Sequence, residues 1–312
     1  MQIDISFILI VSIVSFSLVY LFQRLFFKKK IIDKINDRSS HSNIATRSGG
    51  LSIFSTIIII SFFYYVKGFE IYDFSIIVPL SILMAVGLYD DIYNVDFKLK
   101  FVFQIIAAKI LIDNGLIIDN LHGVFGIYEL GRIAAHFLTI FIIVAIINSI
   151  NFIDGIDGLA LLVVFKFIIM FEYFAAQPTP FVNLTYLIII TALPLLFFNF
   201  KKNNKVFLGD SGSLVLGGLV SSYVIYILSQ DYLIKPEFDL HKIIFVLTIL
   251  FFPIVDIVRV FFVRIFNGKS PFEADKNHIH HLILNLTKSH YKTSLVIILT
   301  SFIFLILTQI II

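Results

Sequence analysis

The chain has 312 residues, of which 59% are hydrophobic and 14% charged, with 36 Phe and a mean hydropathy of +0.97. Those proportions exclude an ordinary soluble domain. The absence of Cys excludes disulfides, thiolate metal sites and a cysteine nucleophile. The formal net charge is only +3, so the information in the charges lies in where they fall.

Apolar runs of roughly 18 or more residues are long enough to cross the hydrocarbon as helices. Taken in chain order, they predict an all-α polytopic membrane protein in one domain, residues 1–312, with about ten spans. The spans fall near 5–27, 50–66, 74–90, 99–118, 133–150, 157–175, 183–200, 212–229, 241–263 and 293–312. The first run lacks a preceding basic segment and a small-residue cleavage site, so it is expected to be retained.

Cations set the expected orientation. The first loop carries Lys28, Lys29, Lys30, Lys34, Arg38 and Arg47, and the third carries Lys98 and Lys100. The seventh has Lys201, Lys202 and Lys205, and the ninth Arg264, Lys269 and Lys276. Even-numbered loops hold only Lys67, Arg132, Lys235 and Lys242, among acids such as Glu70, Asp119, Glu129 and Asp231. Odd loops are therefore expected in the cytoplasm, with both termini outside, in the cell's inner or plasma membrane.

Four polar clusters all fall at odd loops, although the cation count does not use them. Asp90-Asp91 ends the third span, where adjacent carboxylates are costly unless hydrated, paired or coordinated. One could orient or deprotonate an acceptor phosphate while the other meets a cation; Lys98, Lys100 and Gln104 follow, suited to anionic groups. Asn148, Asn151, Asp154-Gly155 and Asp157-Gly158 join the fifth and sixth spans. They make a polar turn that could read a base or ribose and hold a hard cation.

Gly209-Asp210-Ser211-Gly212 precedes an apolar helix, as an N-cap does, and that helix start would also suit phosphate. Asp210 suits Mg2+, which prefers carboxylate and water oxygens. His278, His280 and His281 follow several cations, and histidines in that setting more naturally grip a diphosphate than zinc. Asp256 and Arg259 are further candidates on intramembrane cost. Carboxylates, a hard cation and a basic loop at a membrane surface suit metal-assisted phosphoryl transfer between a soluble nucleotide and a lipid phosphate. No Walker segment occurs.

At these residues the chain resembles the polyprenyl-phosphate N-acetylhexosamine-1-phosphate transferase family, the group of WecA, TagO and MraY. The likeness runs from Arg38-Ser-Ser-His41 and Arg47-Ser-Gly-Gly50 to His281. Its most specific parts are the Asn148–Ala160 motif and Phe207-Leu-Gly-Asp-Ser-Gly-Ser-Leu214. Ser270-Pro271-Phe272 before His278-Ile-His280-His281 is similar to the hexosamine branch rather than the muramoyl-pentapeptide branch. Two departures stand out: Thr46 where Pro is usual, and a longer run at Lys201–Lys205.

The resemblance implies transfer of a HexNAc 1-phosphate, GlcNAc first, from a UDP-N-acetylhexosamine to undecaprenyl phosphate. UMP is released, Mg2+ is required with Mn2+ as a substitute, and a cell-envelope glycan is initiated. It implies Asp90 on the acceptor phosphate with Asp91 beside it, and Asp210 on the metal, helped by Asn151 or Asp154. Asn148, Gly155, Asp157 and Asn199 fall at nucleoside-side contacts, and Arg264, His278, His280 and His281 at the diphosphate. A homodimer is also implied, embedded in membrane lipid; no nucleic-acid partner is expected. The rivals are a transporter or lipid flippase, which would place polar groups on broken helices near the midplane, and a MraY-type pentapeptide transferase.

Overall fold

The computed structural model describes residues 4–33, 44–229, 232–238, 241–268, 270 and 278–311. Arg38–His41, Lys34, Asp231, Lys269, Pro271, Phe272 and Lys276 lie outside the described residues. Most of the described residues lie in twelve α-helices. They are α1 (Ile5–Lys28), α2 (Gly49–Val66), α3 (Ile77–Tyr93), α4 (Phe97–Asp113), α5 (Arg132–Phe152) and α6 (Leu159–Phe174). There follow α7 (Val182–Asn199), α8 (Gly209–Ser229), α9 (Lys242–Ile249), α10 (Phe251–Phe266), α11 (Ile279–Thr287) and α12 (His290–Ile311). Among the described residues, sheet is confined to two two-residue strands, β1 (Ala45–Thr46) and β2 (Lys205–Val206), paired in parallel.

A helix lies at each expected span, but among the described residues only seven are long and apolar enough to cross, or eight with one bent pair. Two of the ten expected spans are short. α4 stops at 17 residues, where Asn114 caps it and Gly115 turns left-handed, and α6 has 16. Both carry charges inside, Lys109 in α4 and Lys166 and Glu172 in α6. The expected ninth span is broken: α9 and α10 meet at 78°. Pro253 explains the break, because its ring excludes the carbonyl four residues back, that of Ile249, where α9 ends.

α8 is the axis of the bundle, with 94% of its membrane-length window buried, and α3, α5 and α2 pack around it. Without a hydrophobic drive between helices in lipid, close approach of backbones does this work. A Cβ on Gly217 would lie 2.7 Å from the Ile147 Cα of α5, and one on Gly87 of α3 would lie 2.6 Å from the Asp210 carbonyl.

Loops of like parity meet. β1 and β2 join the first and seventh loops, extended by Gly49 and Gly50 amides donating to Phe207 and Leu208 carbonyls at 3.0 and 2.8 Å. Thr46, at the usual proline position, is fully buried and its carbonyl accepts from Phe207 N–H at 2.8 Å. At the other end the even loops touch: His122 Nε2 lies 2.8 Å from the Leu228 carbonyl, and Ala175 bridges to Ile234. The bundle therefore has two distinct ends, and every odd loop contributes to the same one.

Gly217→Ala should cost about 1–3 kcal/mol by overpacking α8 against α5, read as a lowered Tm in detergent. Gly131→Ala, whose added Cβ meets nothing within 4 Å, should leave Tm unchanged.

Candidate functional site

The last turn of α3 presents its two carboxylates to different partners. The helix ends at Asn94, which takes a left-handed conformation (φ 55°) that Asn tolerates. This turn lets Val95 N–H donate to Asp90 Oδ1 at 2.7 Å. Asp91 faces the bundle axis instead. Its Oδ1 accepts from Asp210 N–H at 2.9 Å and its Oδ2 from Ser211 N–H at 3.0 Å. The first amides of a helix have no partner within it, and here the cap comes from another helix. These amides were expected to be available to a phosphate; Asp91 occupies them.

Asp210, thus held, points its carboxylate at two other helices. Lys100 Nζ, from the first turns of α4, donates to Asp210 Oδ2 at 2.7 Å and to Asp90 Oδ2 at 3.2 Å. Asn151 Nδ2, from the last turn of α5, donates to Asp210 Oδ1 at 3.0 Å and to Ser213 Oγ at 2.8 Å. One ammonium is thereby shared by two carboxylates. Asp154 lies in the turn after α5, and among the described residues no side-chain hydrogen bond reaches its carboxyl. Burial pushes its pKa well above the ordinary range, and the charges of Asp210 and Asp91 add to that effect, with Arg47 opposing. Arg47 itself is paired with Asp33 at 2.7 Å.

Other expected site residues are engaged in holding the fold. Asn148 exchanges hydrogen bonds with Gln104 (2.7 and 3.3 Å). Asp157 takes an ion pair from Lys205, while its amide donates to His290 Nδ1 at 3.1 Å and its carbonyl accepts from Ser294 Oγ at 3.0 Å. Asn199 Nδ2 donates to the Val206 carbonyl at 2.9 Å, fixing β2. Sequence reasoning missed Lys205 as the partner of Asp157 and missed His290 altogether, and nothing local marks either pairing.

The histidine loop is organised by Asp256, which the cost of a carboxylate inside a span had singled out. Asp256 Oδ2 lies 3.1 Å from both His278 Nδ1 and His280 Nδ1, and its Oδ1 accepts from Ile279 N–H at 2.6 Å. Arg264 Nη2 lies 3.4 Å from His278 Nε2, and both side chains are buried. Burial holds the His280 pKa below its ordinary value, with Asp256 opposing. A Cβ on Gly155 would stand 3.2 Å from His280 Nε2 and 3.4 Å from the His281 ring. Glycine there lets the histidines approach the turn that carries Asp154. The four clusters thus form one site, running from Asp90 through Asp210 and Asn151 to Gly155 and His280.

Such a site holds more carboxylate than its cations balance, all with hard oxygen donors, which is the chemistry that accepts a divalent cation. Asp210, Asp90, Asp154 and the Asn151 amide supply those oxygen donors, while the ligand atoms already within 4.8 Å of one another among the described residues are those of Asp256, His278 and His280.

Known proteins resemble this chain along most of its length. The glycosyl transferase family 4 profile matches residues 73–228. A Bacillus subtilis protein named probable undecaprenyl-phosphate N-acetylglucosaminyl 1-phosphate transferase is 35% identical over 289 residues, covering 90% of this chain and 77% of its own. The undecaprenyl-phosphate alpha-N-acetylglucosaminyl 1-phosphate transferases of Escherichia coli K12 and Salmonella typhi are 30% and 29% identical. Each alignment covers 88% of this chain and 75% of the relative. The chain is a multi-pass membrane member of glycosyl transferase family 4.

Proposed function

We propose that the chain transfers N-acetylglucosamine 1-phosphate from UDP-N-acetylglucosamine to undecaprenyl phosphate, releasing UMP, at the cytoplasmic face of the membrane. The observation that carries this reading is the joining of Asp90, Lys100, Asn151 and Asp210 at the cation-rich end of the bundle. Relatives named for this transfer align along nearly the whole chain.

The reaction needs a lipid-borne phosphate and a soluble diphosphate brought together at a membrane surface. An oxygen of the lipid phosphate attacks the sugar-bearing phosphorus. The bond from that phosphorus to the oxygen bridging the two phosphates breaks, and UMP leaves with the bridging oxygen. Such transfer is mostly positioning and charge neutralisation. Asp90, at the end of α3, orients the lipid phosphate or takes its proton. Lys100 and Arg264 supply positive charge to the phosphoryl oxygens. Asp210, with Asn151 and Asp154, would hold Mg2+, or Mn2+ in its place. Bound there, the cation would supply charge neutralisation to the diphosphate. Asp91 serves as the cap that aims Asp210. The cationic loops, Lys28 to Lys30 and Lys201 to Lys205 among them, favour the cytoplasmic side for this end.

Purified protein given UDP-N-acetylglucosamine and undecaprenyl phosphate should release UMP, lose that activity in EDTA and regain it with Mg2+. Asp90→Asn and Asp210→Asn should each lower kcat by about 100-fold or more, with membrane insertion intact. UMP release at the wild-type rate by either variant would remove its assigned role.

Asp91→Ala should differ in kind. It leaves two buried amides unpaired and should cost about 1–3 kcal/mol of stability, seen as a lower Tm alongside lost activity.

A further inference from the structure

Asp256 Oδ2 faces two imidazole nitrogens, His278 Nδ1 and His280 Nδ1, each at 3.1 Å. A carboxylate oxygen can only accept, so both nitrogens carry hydrogen. For His278 the other ring nitrogen gives the same answer independently. Its Nε2 faces Arg264 Nη2 at 3.4 Å, and a guanidinium can only donate, so Nε2 is the acceptor. With the Nδ1 hydrogen directed at Asp256, a neutral His280 carries its lone pair on Nε2. That atom is buried and lacks a hydrogen-bond partner among the described residues. It lies close to Gly155, where an added Cβ would stand 3.2 Å away.

Asp256, His278 and His280 also bring three metal-capable atoms within 4.8 Å of one another. A metal bound through both Nδ1 atoms would oblige His278 Nε2 to carry hydrogen facing the Arg264 guanidinium, donor against donor. It would also leave the His280 Nε2 hydrogen buried without an acceptor. The hydrogen-bonded arrangement satisfies more of these groups.

We propose that Asp256 is a positioning residue that fixes His278 and His280 as Nδ1–H tautomers. His280 Nε2 then accepts a hydrogen bond from a hydroxyl or amide N–H of the sugar nucleotide seated beside Gly155. This rests on the reading of the site as a sugar-nucleotide transferase, and it gives His280 a different task from gripping phosphate. Phosphoryl oxygens at neutral pH need a donor, whereas this nitrogen offers a lone pair. Sugar hydroxyls, the acetamido N–H and the uracil N–H are the donors that such a substrate carries. A buried acceptor left unpaired discriminates strongly against an analogue that lacks the matching donor.

The test has two arms on the full-length protein in nanodiscs. The first is 15N-histidine NMR without substrate, assigned with His278→Gln and His280→Gln. Neutral Nδ1–H signals are expected for both residues, and Asp256→Asn should move them toward mixed or Nε2–H forms. Nε2–H tautomers in the wild-type protein, or zinc at one atom per chain by elemental analysis, would overturn the proposal.

The second arm is kinetics with UDP-N-acetylglucosamine. His280→Phe should raise KM by about 10-fold with a smaller effect on kcat, and His280→Gln, which retains an acceptor oxygen, should raise KM less. Equal KM for wild type, Phe and Gln variants would overturn the acceptor role. Absence of UMP release from wild-type protein would instead defeat the transferase reading, and the NMR arm would still decide the role of Asp256.

Discussion

The carboxylate of Asp91, accepting the amides of Asp210 and Ser211, is the interaction on which the site depends. It ties the end of α3 to the start of α8, the most enclosed helix of the bundle. Two buried amides would otherwise face no partner, an arrangement that costs more than most single contacts contribute. Gly87 lets the two helices touch at the same level. The direction of Asp210 follows from that junction, and so does its distance from Lys100 and Asn151. Neighbouring acids on one helix turn therefore do different work, Asp91 inward on backbone and Asp90 outward on Val95 and Lys100.

Concentrating Asp90, Asp91, Asp154 and Asp210 at one end of an apolar bundle is unfavourable unless positive charge accompanies them. The protein answers in part, with Lys100 between two of the acids and Arg47 near a third. Burial raises the Asp154 pKa, and the neighbouring charges of Asp210 and Asp91 add to that effect. A bound cation would relieve that excess of negative charge, whereas a phosphate would add to it and would need Lys100 to meet its oxygens. The histidine loop stands across Gly155 from this acidic centre, near enough to contact one ligand extended between them.

Much of this was legible in the residues. Helix positions follow from runs of apolar side chains, and the one-sidedness of the clusters follows from loop parity, which the paired loops at each end of the bundle reproduce. Asp210 and Asn151 stood out because acids and amides beside apolar spans are expensive without a task. What escaped depends on partners distant in the chain. Asp91 and Asp90 are indistinguishable as letters, and only the approach of α8, more than a hundred residues later, separates them. Lys205 looked like one more cation until Asp157 received it. Two-residue strands such as Ala45–Thr46 have no periodicity to read. The break in the ninth span was accessible, since Pro253 disfavours a continuous helix, but an apolar count passes over it.

The central claim is that the Asp210 carboxylate, aimed by Asp91, holds a divalent cation together with the donor diphosphate. Mn2+ electron paramagnetic resonance on purified protein with UDP-N-acetylglucosamine tests it most directly, because bound and free Mn2+ differ in signal without any turnover. One nucleotide-dependent Mn2+ per wild-type chain, lost in Asp210→Asn, is the predicted result. Equal Mn2+ occupancy in wild type and Asp210→Asn would contradict the account.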